Sequence, residues 1–209
     1  MQHLIDGYKK FHTEVFPGCR DQFHLLAEGQ SPEYLFITCA DSRIVPNLIL
    51  TSGPGELFIA RNAGNVVPVY ANDVDGTTAT IEYAVEVIKV KYAILCGHSD
   101  CGALKAVLYN KNVDELPKVA RWLHHIDAAL EFKQPLNPKD IDPELGAVIR
   151  GNVIAQMRNL KADPSVKRAV EAGTLEVVGW YYDILTGTIE QYDEKDRKFV
   201  ALGASPPGV

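Results

Sequence analysis

Two short apolar runs in this chain are each followed directly by side chains that bind metals. Leu35–Thr38 leads into Cys39, and Ala93–Cys96 leads, after one glycine, into the segment His98-Ser99-Asp100-Cys101. Short apolar runs of this kind are typical of buried strands, and strands that alternate with helices form a mostly parallel sheet. Ligands bind at the carboxyl ends of such strands. The sequence therefore predicts an α/β fold that brings Cys39 close to the His98–Cys101 segment.

The remaining pattern predicts helices that flank this sheet and a helical arm over residues 1–30, broken near Pro17-Gly18. Further strands are predicted over 56–60, 91–97, 175–185 and 188–192, helices over 46–50, 77–90, 103–109, 116–132, 143–160 and 164–172, and irregular structure over 62–76. The chain contains no internal repeat and no convincing linker. We therefore expect a single domain over 1–209.

Composition limits the classes of partner. The 209 residues are 46% hydrophobic and 23% charged, which is ordinary for a globular protein. A net charge of -6 without a dense Lys/Arg cluster argues against nucleic acid as a partner.

No apolar run approaches the roughly 18 residues that span a bilayer. Four unevenly spaced cysteines do not suit a disulfide scaffold, and the N-terminus lacks the pattern of a secretory signal, so we expect a reduced, cytoplasmic protein.

Cys39, His98 and Cys101 form a ligand set that suits zinc, because two thiolates and an imidazole are its usual protein ligands. His98 and Cys101 are three residues apart, so a turn or the first turn of a helix lets both bind one ion. Three protein ligands leave a fourth position open, which distinguishes a catalytic zinc from a structural one. Two thiolates also make zinc a weaker Lewis acid, so a water molecule at the open position needs help from a neighbouring group.

Asp41 is the candidate for that help, and its sequence position allows two roles. Its carboxylate could accept a hydrogen bond from the water at the open position, or it could itself bind the metal and close the site. Arg43 is placed to form a bidentate ion pair with Asp41, which would fix the orientation of the carboxylate and keep it ionised. Arg43 would then decide between the two roles.

Other interpretations of these residues are less specific. The three ligands could be unrelated core residues, which is our interpretation of Cys96. A structural zinc would need a fourth Cys or His, and none lies nearby in sequence. A phosphatase loop needs five residues between its Cys and Arg, whereas three separate Cys39 from Arg43. His124-His125 indicates an exposed helix face, with a proton shuttle as the alternative, and Arg61-Asn62-Ala63-Gly64-Asn65 indicates a shaped active-site loop.

With these residues identified, the chain closely resembles the β-class carbonic anhydrases. The C-x-D-S-R motif at 39–43 and the H-x-x-C-G motif at 98–102 are both intact, at the family's usual separation. The likeness covers nearly the whole chain, through Pro54-Gly55-Glu56-Leu57-Phe58, Arg61-Asn62-Ala63-Gly64-Asn65, Ile81-Glu82-Tyr83-Ala84-Val85 and Gly179-Trp180-Tyr181-Tyr182-Asp183.

The resemblance implies a carbonate dehydratase, a zinc lyase that hydrates CO₂ reversibly to bicarbonate and a proton. It implies Zn²⁺ bound by Cys39, His98 and Cys101, with Asp41 and Arg43 as the catalytic dyad. It also implies a homodimer or a larger homo-oligomer, such as a tetramer or octamer, with the arm over 1–30 as a dimer contact and the active site near the subunit interface. The substrate-binding residues that it implies are Gln30, Phe58, Tyr83 and Gly102.

One departure from the family pattern concerns the subtype. Members with an allosteric bicarbonate pocket carry Trp three residues before the first zinc ligand, where this chain has Phe36. Phe36 and Gln30 together favour the plant-like form, whose metal site stays open. The chain resembles bacterial members, including those linked to cyanate metabolism and to carboxysomes. The alternatives are a relative that hydrolyses carbon disulfide and a zinc-stabilised scaffold whose site is blocked.

Overall fold

Six strands form one sheet in the computed structural model, which describes residues 1–70, 75–113 and 115–203. The strands are β1 (Tyr34–Cys39), β2 (Leu57–Asn62), β3 (Tyr92–His98), β4 (Glu176–Tyr182), β5 (Ile189–Asp193) and β6 (Lys198–Ala201). Their order across the sheet is β2-β1-β3-β4-β5-β6. The first four are parallel, and β5 and β6 extend the sheet with antiparallel pairs. The prediction of a mostly parallel sheet is confirmed.

Helices account for most of the remaining chain, and they lie close to the predicted positions. They are α1 (Gln2–Lys10), α2 (Phe16–Glu28), α3 (Pro46–Ile49), α4 (Gly76–Tyr83), α5 (Gly102–Leu108), α6 (Pro117–Leu123), α7 (Pro143–Ala162) and α8 (Pro164–Glu171). A π-helical turn at Phe11–Val15 joins α1 to α2, another at Ala84–Ile88 extends α4, and a 3₁₀ segment at His124–Leu130 extends α6.

Three details differ from the sequence predictions. The arm is continuous through Pro17 and kinks at Cys19, whose φ of −121° and ψ of 15° are not helical. The strand predicted over 175–185 ends at Tyr182, because Asp183 begins a turn in which it accepts hydrogen bonds from Thr186. Strand β6 was not predicted, because its four residues are too few to show a pattern. Within the predicted irregular stretch, residues 71–74 lie outside the described residues.

Helix α7 packs on β3 and β4 at two glycines, which let it approach the sheet closely. A Cβ atom added at Gly97 would lie 2.8 Å from Val153, and one added at Gly179 would lie 2.7 Å from the same side chain. Helices α4 and α8 cover the same face of the sheet, so that Leu35, Ile37 and residues from all three helices form the main hydrophobic core. This packing holds β3, and therefore His98 at its end, against the core.

The opposite face of β1, β3 and β4 is apolar but less covered. Phe36 and Cys96 are buried there, whereas Trp180 and Tyr182 are only partly buried, and Tyr92 is exposed. A parallel sheet normally has both faces covered. Within the described part of one chain, this face is therefore incompletely covered.

The N-terminal arm makes little contact with the rest of the chain. None of the residues of α1 is buried against the described structure. The arm contacts the rest of the chain through α2, where Gln22 Nε2 donates a hydrogen bond to the Pro54 carbonyl (3.1 Å) and Leu26 packs on Gly55. No helix among the described residues has the length and apolar character needed to cross a membrane.

The close approach of α7 generates a stability prediction. Gly179→Ala places a methyl group against Met157 and Val153, so it should lower the free energy of unfolding by about 1–3 kcal/mol through overpacking. Urea denaturation followed by circular dichroism measures this. Gly76→Ala is the control, since its Cβ would meet no described atom within 4 Å. Equal stability of the two variants would contradict the close packing of α7 on β4.

Candidate metal centre

The structure brings Cys39, His98 and Cys101 together at the carboxyl edge of the sheet. Cys39 ends β1 and His98 ends β3, and the two strands are adjacent and parallel with Thr38 opposite Cys96. Cys101 lies directly before Gly102, the first residue of α5. All three side chains are buried, and their ligand atoms lie within 4.8 Å of one another. They form the one such cluster of three or more His, Cys, Asp or Glu side chains within the described ranges.

The imidazole of His98 has the arrangement expected of a metal ligand. Its Nδ1 lies 2.9 Å from the carbonyl of Ser99, which can only accept a hydrogen bond, so Nδ1 carries the proton. Its Nε2 therefore presents a lone pair, and it is buried with no hydrogen-bond partner among the described residues. A buried polar atom without a partner is costly unless it binds something. A zinc ion among Nε2 and the two sulfur atoms fits this donor set.

The two thiols share a hydrogen bond, with their sulfur atoms 3.9 Å apart. This bond lowers the pKa of Cys39, to which the Gly64 N–H also donates (3.4 Å). The same bond, together with burial, raises the pKa of Cys101. In the metal-free protein, Cys39 is therefore the readier thiolate, and metal binding releases the proton that Cys101 retains.

Asp41 is held beside this cluster by Arg43. Nε and Nη2 of Arg43 donate to the two carboxylate oxygens of Asp41 (2.9 and 2.8 Å), and the Arg43 backbone N–H donates to Oδ1 (2.9 Å). These bonds hold the pKa of Asp41 well below its usual range. Asp41 Oδ2 lies 4.0 Å from His98 Nε2. The ion pair predicted from the sequence is therefore formed, and Asp41 is ionised at the edge of the metal cluster.

Arg61 fixes the main chain that carries these side chains. Its Nε donates to the Cys39 carbonyl (3.0 Å), and its Nη2 donates to the carbonyls of Asp41 (2.7 Å) and Ile44 (2.9 Å). These three bonds hold the loop after β1 against β2, where Arg61 lies. The predicted role of the 61–65 segment in shaping the site is consistent with these bonds.

Asp100 also contacts Arg43, a contact that was not predicted from the sequence. Its carboxylate accepts from Arg43 Nη1 (2.8 Å) and its carbonyl accepts from Nη2 (3.1 Å). Lys105 forms a further ion pair with the same carboxylate. Two carboxylates therefore flank the Arg43 guanidinium. The sequence carried only a weak signal for this, namely an acidic residue between two predicted ligands.

The predicted substrate-binding residues lie in different surroundings. The rings of Phe58 and Tyr83 stack with their centroids 6.0 Å apart, and Tyr83 is 47% exposed. Gly102 directly follows Cys101 at the start of α5, with open space around its Cα. Gln30 lies beyond the end of α2, where it lines a shallow groove with Leu26 and forms no hydrogen bond to a described residue.

The structure agrees with the interpretations of His124 and Cys96, whereas His125 is only partly exposed and packs edge-on against Trp122. His124 is exposed and pairs with Asp127 on the surface. Cys96 lies in the core, where burial raises its pKa to about 12, so that it is a poor nucleophile.

The three-residue cluster makes a direct prediction about metal content. Cys101→Ser should reduce bound zinc from about one ion per chain to a small fraction, because a hydroxyl is a poor substitute for a thiolate ligand. Mass spectrometry of metal content after dialysis measures this. Cys19→Ser is the matched control, since Cys19 lies in the arm and outside the cluster. Equal zinc content in both variants would contradict the assignment of Cys101 as a ligand.

Comparison with known proteins identifies the family. The family model described as carbonic anhydrase matches residues 34–189. A carbonic anhydrase of Pseudomonas aeruginosa is 45% identical over 206 residues, and carbonic anhydrase 1 of Escherichia coli O157:H7 is 43% identical over 206 residues, each match covering 99% of this chain and 94% of the relative. The structure of the β-carbonic anhydrase CcaA is 38% identical, with a TM-score of 0.88 over 98% of this chain and 92% of that one. The chain therefore belongs to the carbonic anhydrase family and is, within its β class, a zinc lyase that catalyses the reversible hydration of carbon dioxide.

Proposed function

We propose that Cys39, His98 and Cys101 hold the zinc ion and that Asp41, fixed by Arg43, orients the water molecule that reacts with carbon dioxide. The bidentate Arg43–Asp41 ion pair beside the free Nε2 of His98 is the observation that carries this proposal. When bound, zinc supplies the Lewis acidity that brings the pKa of water toward neutrality.

Asp41 serves as a fixed acceptor. An ionised carboxylate can only accept hydrogen bonds, and the low pKa of Asp41 keeps it ionised throughout the physiological range. By accepting a hydrogen bond from the reacting water, it directs a lone pair of the water oxygen toward carbon dioxide. A C–O bond then forms, bicarbonate leaves, and one proton passes to solvent. Rotation of the carboxylate out of this position would break two bonds to the Arg43 guanidinium.

The substrate-binding residues are proposed on chemical grounds. Phe58 and Tyr83 offer an apolar surface suited to carbon dioxide, which carries no charge. Because Phe58 lies opposite Leu35, four residues before Cys39, we propose that this surface serves the site of a second copy. The N–H of Gly102 lies in the first turn of α5, where helical N–H groups lack an acceptor within the helix, so it is suited to bind bicarbonate. Gln30 offers an amide that is free of hydrogen bonds to described residues, and we propose that it binds substrate in the site of a second copy.

We further propose that the site stays open, as in the plant-like members of the class. At the position of Phe36, the members with an allosteric pocket carry a tryptophan. Phe36 is buried and packs edge-on against Trp180, with the two ring centroids 6.1 Å apart. Asp41 lies outside the three-residue metal cluster and is engaged with Arg43. Both features support Asp41 as a hydrogen-bond acceptor rather than a fourth ligand.

The role of Asp41 predicts a specific kinetic defect. Asp41→Asn keeps the shape of the side chain but removes its charge, so kcat for hydration should fall by about 100-fold, because the reacting water loses its charged hydrogen-bond acceptor. Stopped-flow measurement at equal zinc occupancy tests this, with Asp127→Asn on the surface as the control. An unchanged kcat in Asp41→Asn would contradict the proposed role. Turnover of carbon disulfide at a comparable rate would instead favour the alternative substrate.

We propose that the chain is at least a homodimer, with a tetramer or octamer as larger possibilities, and that the arm over 1–30 contacts a second copy. The apolar residues Leu4, Ile5 and Tyr8 on α1 are exposed, and the face of the sheet that carries Trp180 and Tyr182 is incompletely covered. Burial of such surfaces is the main driving force of association. One of two β-carbonic anhydrases of Sordaria macrospora that are described as tetrameric is 32% identical, with a TM-score of 0.70 over 91% of this chain and 92% of that one.

A cytoplasmic location is also part of the proposal. The four cysteines are all free, which suits a reducing compartment. Association with a carboxysome stays a prediction.

The arm contact predicts a change in assembly. Leu4→Glu places a charge on the exposed apolar face of α1, so it should shift the chain toward a smaller oligomer because burying an unpaired charge is costly. Size-exclusion chromatography with light scattering measures the mass. Gln2→Glu adds the same charge on the opposite side of the helix and should leave the mass unchanged. If both variants keep the wild-type mass, the arm is not an essential contact.

A further inference from the structure

The Arg43 guanidinium is held from two sides, and only one of them belongs to the C-x-D-S-R motif. Its Nε and Nη2 atoms bind the carboxylate of Asp41, and its Nη1 atom binds the carboxylate of Asp100 (2.8 Å). Nη2 also donates to the carbonyl of Asp100 (3.1 Å). Asp100 lies between His98 and Cys101, so one short loop carries two candidate zinc ligands and the second anchor of Arg43.

We propose that Asp100 is a positioning residue, which holds the Arg43 guanidinium from the side opposite Asp41 and thereby keeps the Asp41 carboxylate in its working orientation. The inference rests on the proposed role of Asp41 and adds a residue that the Asp41–Arg43 pair requires. Asp100 itself acts only through Arg43.

The exposure of Arg43 explains why a second anchor is needed. Its side chain is 43% exposed, and exposed arginine side chains retain considerable rotamer freedom. Arg43 and Asp100 both line a cavity of about 340 Å³, whose wall also contains Asp140, Asp142 and Asp183. Without Asp100, this acidic cavity would offer the guanidinium other positions. Any such movement would break the bidentate bond that orients Asp41.

The backbone of the loop places Asp100 where this contact can form. Asp100 has a φ of +62°, in the left-handed region that asparagine, aspartate and glycine adopt most readily. Ser99 fixes the loop to the end of β4, because its N–H donates to the Tyr182 carbonyl and its hydroxyl accepts from the Ile184 N–H (both 2.9 Å). Asp100 could therefore be retained simply because it suits this turn. The choice of variants must separate the turn from the carboxylate.

Asp100→Gly and Asp100→Asn provide this separation. Glycine and asparagine both tolerate the left-handed backbone conformation, so both substitutions preserve the turn. Glycine removes the carboxylate, whereas the amide oxygen of asparagine can still accept one hydrogen bond from Arg43. Asp196→Asn is the matched control: its side chain is 50% exposed and paired with Lys198, much as that of Asp100 is 48% exposed and paired with Lys105.

We expect kcat of the zinc-loaded oligomer to fall by about 10-fold in Asp100→Gly, the low end for groups that orient a metal site from outside, with KM little changed. Asp100→Asn should recover part of this loss, and Asp196→Asn should match the wild type. In an Asp41→Asn background, Asp100→Gly should have almost no further effect, because both substitutions disable the same interaction.

Nuclear magnetic resonance provides a readout that does not depend on activity. The Arg43 Nε–H signal, assigned by its loss in Arg43→Lys, should exchange with solvent faster in Asp100→Gly than in the wild type or in Asp196→Asn. Zinc content and thermal unfolding are measured on the same samples. An unchanged kcat with unchanged Arg43 exchange would overturn the inference, and so would a loss of kcat that merely follows a loss of zinc.

The outcomes distinguish this inference from the proposed function. If Asp41→Asn lowers kcat and Asp100→Gly affects neither kcat nor Arg43 exchange, the inference fails and the role of Asp41 stands. If Asp41→Asn leaves kcat unchanged, the proposed role of Asp41 fails, and with it the catalytic meaning of Asp100. The Arg43 exchange rate would still report whether Asp100 holds the guanidinium.

Discussion

The parallel pairing of β1 with β3 is the constraint on which the site depends. With Thr38 opposite Cys96, the two strands end side by side, with Cys39 one residue beyond Thr38 and His98 two residues beyond Cys96. Cys39 and His98 therefore lie at the same edge of the sheet although they are 59 positions apart in the chain. A shift of one residue in this register would turn Cys39 toward the opposite face of the sheet. The buried side chains of β1 and β3, packed under α4, α7 and α8, oppose such a shift.

Two arginines then divide the task of organising the loop after β1. Arg61 binds only main-chain carbonyls and therefore fixes where the loop runs. Arg43 binds the carboxylates of Asp41 and Asp100, besides one bond to the Asp100 carbonyl, and therefore fixes where Asp41 points. The planar guanidinium suits both tasks, because its five donors have a fixed geometry that lysine lacks. Backbone placement and side-chain orientation are thus controlled by separate residues in one site.

Much of this arrangement could be predicted from the sequence, for reasons that differ between residues. Cys39, His98 and Cys101 follow strand-like runs, and Asp41 and Arg43 are only two residues apart, so their proximity follows from local pattern and sheet topology. The contact of Asp100 could not be predicted, because it depends on a left-handed backbone angle and on the rotamer of a distant side chain. The break predicted near Pro17-Gly18 is a kink at Cys19 instead, and the short strand β6 was not predicted because four residues are too few for a periodic signal.

The glycines beneath α7 have a consequence for how different parts of the molecule move. Because Gly97 and Gly179 have no side chains, Val153 of α7 contacts the backbones of β3 and β4 directly. The two strands therefore pack tightly against this helix. Backbone amides in such a region exchange with deuterium mainly through global unfolding, whereas those of α1, which buries nothing in the described chain, exchange through local fraying when no second copy covers the arm. A single chain thus combines a region around the metal ligands that opens slowly with an N-terminal arm that opens rapidly.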